Sequence, residues 1–101
     1  MSFKKSEIWE WKNWKISWSL SKKSTCNKNI NILLVHGFGA SKKHWRHNQD
    51  FLSKVYNCYA IDLLGFGESS QPSALLNYEP IKKNSIKYSF DLWSNQISTF
   101  C

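Results

Sequence analysis

One short segment decides what this chain can fold into: Ile30, Ile32, Leu33, Leu34 and Val35 form a nearly continuous apolar run that ends at His36-Gly37-Phe38-Gly39. Apolar side chains on successive rather than alternate residues are the pattern of a parallel strand covered on both faces. Such a strand needs a crossover to bring its partner into the same sheet. The following residues supply one. Ser41 is placed as an N-cap, residues 43–53 read as a helix with Trp45, Phe51 and Leu52 turned toward the core, and residues 56–62 form a second apolar strand. Strand, helix and strand over residues 30–62 predict a βαβ unit with parallel pairing and a right-handed crossover.

Upstream, the period changes to two. Trp14, Ile16, Trp18 and Leu20 fall on one side of an extended segment, Lys15, Ser17 and Ser19 on the other, and Trp9 and Trp11 flank Glu10 in the same way. With Lys12-Asn13 at the reversal, residues 8–20 predict an antiparallel hairpin with a tryptophan face. Interleaved Trp and Lys could also make a stacking platform for single-stranded nucleic acid. A platform needs rings and lysines on the same side, whereas strict alternation sends them to opposite faces, so no nucleic-acid partner is expected. Residues 21–29 read as a connection. Residues 63–88, with Pro72 and Pro80, read as a loop, and residues 89–100 as a terminal helix that begins at Ser89 or Asp91 and repeats Phe90, Trp93, Ile97 and Phe100 at helical spacing.

Composition narrows the class further. With 101 residues the chain is one partial domain, well short of the roughly 200–250 residues that a single α/β domain commonly takes. Lys+Arg number 14 against Asp+Glu 7, and +5 of the formal +7 falls in residues 1–28. A basic head could suit nucleic acid or an anionic membrane surface; the plainer reading is a solvated lysine-rich face. No apolar segment follows Met1 as a signal peptide requires, and residues 32–35 are far too few to span a bilayer, so the expectation is a cytoplasmic protein without a membrane span. Cys26, Cys58 and Cys101 lie far apart with no Cys-x-x-Cys pair, which predicts neither a disulfide framework nor a metal site. No cofactor motif occurs: Gly65-Phe66-Gly67 lacks the third glycine of a dinucleotide fingerprint.

Two motifs agree in order and spacing. His36-Gly37-Phe38-Gly39 is followed, 26 residues after His36, by Asp62-Leu63-Leu64-Gly65-Phe66-Gly67-Glu68-Ser69. Alone, His36-Gly37 could simply end a strand. Together the motifs resemble the N-terminal portion of the α/β-hydrolase fold superfamily, and Trp45-Arg46-His47-Asn48 resembles the helix after the oxyanion loop in its cyanobacterial and plastid members. The resemblance implies an incomplete α/β sheet: hairpin, βαβ unit, then terminal helix. It implies that the Phe38 backbone N–H is an oxyanion-hole donor, that Gly37 and His36 position the loop, that Asp62 braces the turn after its strand, and that the catalytic histidine is a different one nearer the C-terminus.

The family's Gly-x-Ser-x-Gly nucleophile elbow does not occur in these 101 residues, and Ser69 and Ser70 sit in the wrong loop to replace it. The reading is therefore a truncated hydrolase-family protein lacking nucleophile, acid and base, whose full-length relative would act on a small ester-like substrate. The alternative is a noncatalytic binding protein built on the front half of the fold. A Gly-x-Ser-x-Gly coding segment immediately downstream would favour the first. The resemblance also implies that the strand at 30–35 lies between the strand at 56–62 and a fifth strand, so without the fifth its free edge invites self-association.

Overall fold

A left-handed pair of residues starts the fold. Lys12 and Asn13 have φ of 50° and 70°, the primed-turn geometry whose twist matches two antiparallel strands. They join β1 (Ser2–Trp11) to β2 (Trp14–Lys23), with Trp11 opposite Trp14 and Ser2 opposite Lys23. The computed structural model describes residues 2–23, 27–74, 85–86 and 88–101. Cys26 and Pro80 lie outside the described residues.

β3 (Asn27–Val35) does not pair with the hairpin that precedes it. β4 (Tyr56–Ile61) inserts between them, antiparallel to β2 and parallel to β3, giving the order β1-β2-β4-β3. A 3-10 turn over Lys42–Trp45 and the helix α1 (Arg46–Leu52) carry the chain across the sheet from β3 to β4, completing the βαβ unit. Ser41 caps the turn, its Oγ accepting from the Lys43 amide at 3.3 Å. Two short strands, β5 (Ser73–Ala74) and β6 (Ser85–Ile86), pair in parallel. α2 (Phe90–Phe100) closes the fold, and Ser89 is its cap, since its Oγ accepts from the Leu92 amide at 3.1 Å.

The hairpin's tryptophan face and α2 share one core. Trp11, Ile16, Ile61 and Leu64 are buried together, with Trp9, Trp18, Trp93 and Phe100 packed around them. Phe100 meets Trp9 and Trp18 edge-on, with centroids 5.5 and 5.7 Å apart, geometry that adds about 0.5–1.5 kcal/mol per pair beyond area burial.

One sequence expectation needs correction, and the alternation in β2 conceals a second buried face. The serine face of β2 is not solvated: Ser17, Ser19 and Ser21 are buried, because β2 is an interior strand whose second face lies under α1 and the loop after β4. Each serine there must be satisfied. Ser19 Oγ donates to Gln49 Oε1 at 3.3 Å, and the Ser17 amide donates to Ser69 Oγ at 2.9 Å. Phe51, expected in the core, is 67 % exposed under the ammonium of Lys54. The residue α1 buries is Gln49, whose Nε2 donates to the Cys58 carbonyl at 2.9 Å.

Candidate active site

Both motifs stand at the C-terminal ends of the parallel pair, where β3 runs into residues 36–41 and β4 into residues 62–70. Edges of an α/β sheet place ligand-binding loops at this end. His36 is buried, with Nε2 accepting from the Leu63 amide at 2.9 Å and Nδ1 2.8 Å from the Gly37 carbonyl. It therefore bolts the two loops to each other.

Asp62 is the second anchor. Its buried carboxylate accepts the Lys42 amide at 2.6 Å, the Lys42 ammonium at 3.1 Å and the Glu68 amide at 2.9 Å. Its carbonyl accepts from Ser69 Oγ at 2.7 Å and Gln96 Nε2 at 3.2 Å. Gly67 makes this wrap possible: φ is +56°, and a Cβ at that position would collide with the Asp62 carboxyl group. Burial works to lower the Lys42 pKa, but its hydrogen bonds to Glu68 and Asp62 and their charges outweigh burial and hold the ammonium above its ordinary 10.5. Glu68 is correspondingly lowered, first by the hydrogen bond from Lys42 and then by the charges of Lys42 and Lys43.

Between these anchors, residues 37–40 project outward. The Ala40 amide returns to the Gly37 carbonyl at 3.1 Å, and the Phe38 amide has no hydrogen-bond partner among the described residues. The Phe38 ring is 88 % exposed and meets Phe66 and Trp93 edge-on at 5.3 and 6.5 Å. Beside it opens a cleft of about 870 Å³, lined by Val35, His36, Phe38, Phe66, Trp93 and Ile97 among others and, among the described residues, by no Asp, Glu, Lys or Arg. An amide at the head of an apolar cleft can meet a developing oxyanion while the rest of a ligand packs on the rings.

Ser69 and Ser70 have other work. Ser69 Oγ donates to the Asp62 carbonyl and accepts the Ser17 amide, and Ser70 Oγ accepts the Lys15 amide at 2.8 Å. Both stitch the loop to β2, and neither lines the cleft.

Residues 30–99 match the family described as the alpha/beta hydrolase fold. The chain belongs to the α/β-hydrolase-fold family. It is 44 % identical over 52 residues to epoxide hydrolase 3 of Xenopus tropicalis, which takes in 52 % of this chain and 14 % of the relative. With the human (Lyso)-N-acylphosphatidylethanolamine lipase it shares 38 % identity over 56 residues, 55 % of this chain and 16 % of the lipase. The crystal structure of a membrane phospholipase A described as a bacterial virulence factor superposes with a TM-score of 0.75 at 25 % identity, over 96 % of this chain and 27 % of the phospholipase. The chain thus spans about a sixth of the two curated relatives' length and covers only a part of the hydrolase fold.

Sequence reasoning overlooked two residues of the site, Lys42 and Gln96. Gln96 is fully buried, accepting the Leu64 amide at 2.9 Å as well as donating to Asp62. Its signal was present, since position 96 lies three residues after Trp93 and four before Phe100 on one helical face. Lys42 had no such signal, because a lysine after an N-cap is ordinarily solvated. Among the described residues no group of His, Cys, Asp and Glu is placed to hold a metal ion, and no helix is long and apolar enough to cross a membrane.

Proposed function

We propose that residues 1–101 form one partial domain carrying the oxyanion-loop half of a hydrolase site. The Phe38 N–H acts as the first donor to the tetrahedral oxyanion, Gly37 gives the loop its close approach, and His36 positions it. The nucleophile, acid and base come from a segment that completes the fold, and the substrate is a small ester-like molecule whose apolar part packs on Phe66 and Trp93. The carrying observation is a Phe38 amide without a hydrogen-bond partner among the described residues, on an exposed residue beside an apolar cleft and on a loop fixed at both ends. No cofactor enters this chemistry. The free thiols of Cys58 and Cys101 suit a reducing, cytoplasmic setting.

A backbone substitution tests the reading. Replacing the Phe38 amide by an ester through chemical ligation deletes only the N–H. In this chain completed by a nucleophile-bearing C-terminal segment, loss of one oxyanion donor lowers kcat about 10²–10³-fold. Undiminished kcat in the ester-substituted protein overturns the assignment.

A further inference from the structure

Resting on that reading of Phe38, we infer that Lys42 is a positioning residue for the oxyanion loop, acting through Asp62 and Glu68. Lys42 ends the exposed loop, and it is the only lysine among the described residues whose side chain is buried, at 6 % exposure. Its amide and its ammonium grip the two oxygens of one carboxylate, at 2.6 Å on Asp62 Oδ1 and 3.1 Å on Oδ2, and the ammonium reaches Glu68 Oε1 at 2.9 Å. The loop has few bonds of its own, Ala40 to Gly37 at 3.1 Å and His44 to Ser41 at 3.0 Å. Its course is therefore set by the ends: His36 fastens the first to Leu63, and Lys42 fastens the last to Asp62.

The side chain does what the amide cannot. Asp62 is 1 % exposed and Glu68 faces the same ammonium from the solvent side at 61 % exposure, so Lys42 is the cation between two carboxylates. Lys43 approaches Glu68 at 3.8 Å but is itself largely solvated. Without the Lys42 ammonium, the buried Asp62 charge loses its counterion, and relief comes by letting water in where the loop meets it. A lysine held as an ammonium between two carboxylates has no free electron pair, so nucleophilic or Schiff-base chemistry is not its role.

Hydrogen exchange on the full chain tests this. Lys42→Met keeps the backbone bond and most of the volume and removes the charge; Lys42→Arg keeps the charge; Glu68→Gln removes only the charge of the exposed partner. The Ala40 and His44 amides are expected to exchange about tenfold faster in Lys42→Met and a few-fold faster in Glu68→Gln, with Ala60 in β4 unchanged. Lys42→Arg retains the native rates, and the Phe38 amide resonance moves in Lys42→Met. Equal acceleration of loop and β4 amides would make Lys42 a general stability residue and overturn the inference, as would native loop rates in both Lys42→Met and Glu68→Gln. If Lys42→Met does not fold, native loop rates in Glu68→Gln alone overturn it. None of these readouts requires turnover, so failure here is separate from failure of the Phe38 ester experiment.

Discussion

The imidazole of His36 accepts the Leu63 amide hydrogen at 2.9 Å, joining the C-terminal ends of two parallel strands through one side chain. Leucine 63 is buried and nothing else among the described residues takes that hydrogen. His36→Ala leaves a buried donor unsatisfied, a loss of about 1–3 kcal/mol. The expected outcome is a lower urea midpoint with little change in slope; an unaltered midpoint would mean that water replaces the ring at no cost.

Two glycines with left-handed backbones separate strain from collision. Gly39 has φ +79° and open space where a Cβ would go, whereas at Gly67 (φ +56°) the Cβ meets the Asp62 carboxyl group. Gly39→Ala is expected to cost about 1–2 kcal/mol, the left-handed penalty alone. Gly67→Ala must also break the Asp62 anchor and should abolish the cooperative melt. Similar melts for the two variants would show that the loop after β4 can relax around the added methyl.

Residues 1–101 alone are expected to hydrolyse an activated ester no faster than buffer, since an oxyanion donor without nucleophile or base supplies no covalent catalysis. Ser69→Ala should lower stability by about 1–3 kcal/mol because it strips a partner from both the Ser17 amide and the Asp62 carbonyl. Turnover that disappears in Ser69→Ala or Ser70→Ala would reveal a nucleophile in the wrong loop.

Stability against pH follows from four shifts, one of them Tyr88, which burial raises from 10.0 so that its contribution is full below that value and fades above it. Glu68 is lowered from 4.5, so its contribution is complete above that value and is lost as pH falls through the lowered one. Lys42 is raised from 10.5, so its contribution is complete below that value and fades above it. Burial pushes the Cys58 thiol from 9.0 up to about 11; its contribution is full below pH 9.0 and declines as the unfolded thiol ionises. Urea midpoints should be level through neutrality and begin to fall at about pH 9. Cys58→Ala should flatten the segment from pH 9 to 10. A slope there that is identical in the variant would remove Cys58 as its source.

How much of this was legible in the sequence depends on the range of the interaction. The Lys12-Asn13 reversal, the apolar run of β3 and the capping serines Ser41 and Ser89 are local signals, readable from a few neighbours. The alternation in β2 showed which face is apolar. It could not show that β4, 37 or more residues away at its paired positions, would insert beside β2, nor that Ser17 and Ser19 would be buried as well. Lys42, Gln49 and Gln96 share that cause: each is a polar residue made interior by a partner distant in sequence, which composition does not signal. The site loops were found because their glycines and Asp62 form a motif, whereas the groups that hold them in place carry none.

The last expectation concerns the sheet's two edges. β1 carries Lys4, Lys5, Glu7 and Glu10, charges that discourage strand pairing. β3 presents Ile30, Ile32, Leu33, Leu34 and Val35, and among the described residues it is hydrogen-bonded to β4 alone. Trp18, Ile32, Leu33, Tyr59 and Phe100, with Asn31 and Cys101, line a further hollow of about 420 Å³ beside it. Over residues 30–35 this edge carries no charge and, among the described residues, only one side of its backbone is paired, which makes it a template for another strand. The chain is therefore expected to self-associate with rising concentration, and Ile30→Lys, at a position 43 % exposed on that edge, should shift sedimentation toward monomer while Ile8→Lys on β1 should not. Adding a fold-completing C-terminal segment in trans should have the same effect as Ile30→Lys. A wild-type chain that sediments as monomer at all concentrations, with slow amide exchange across β3, would show that this edge is covered by some other means.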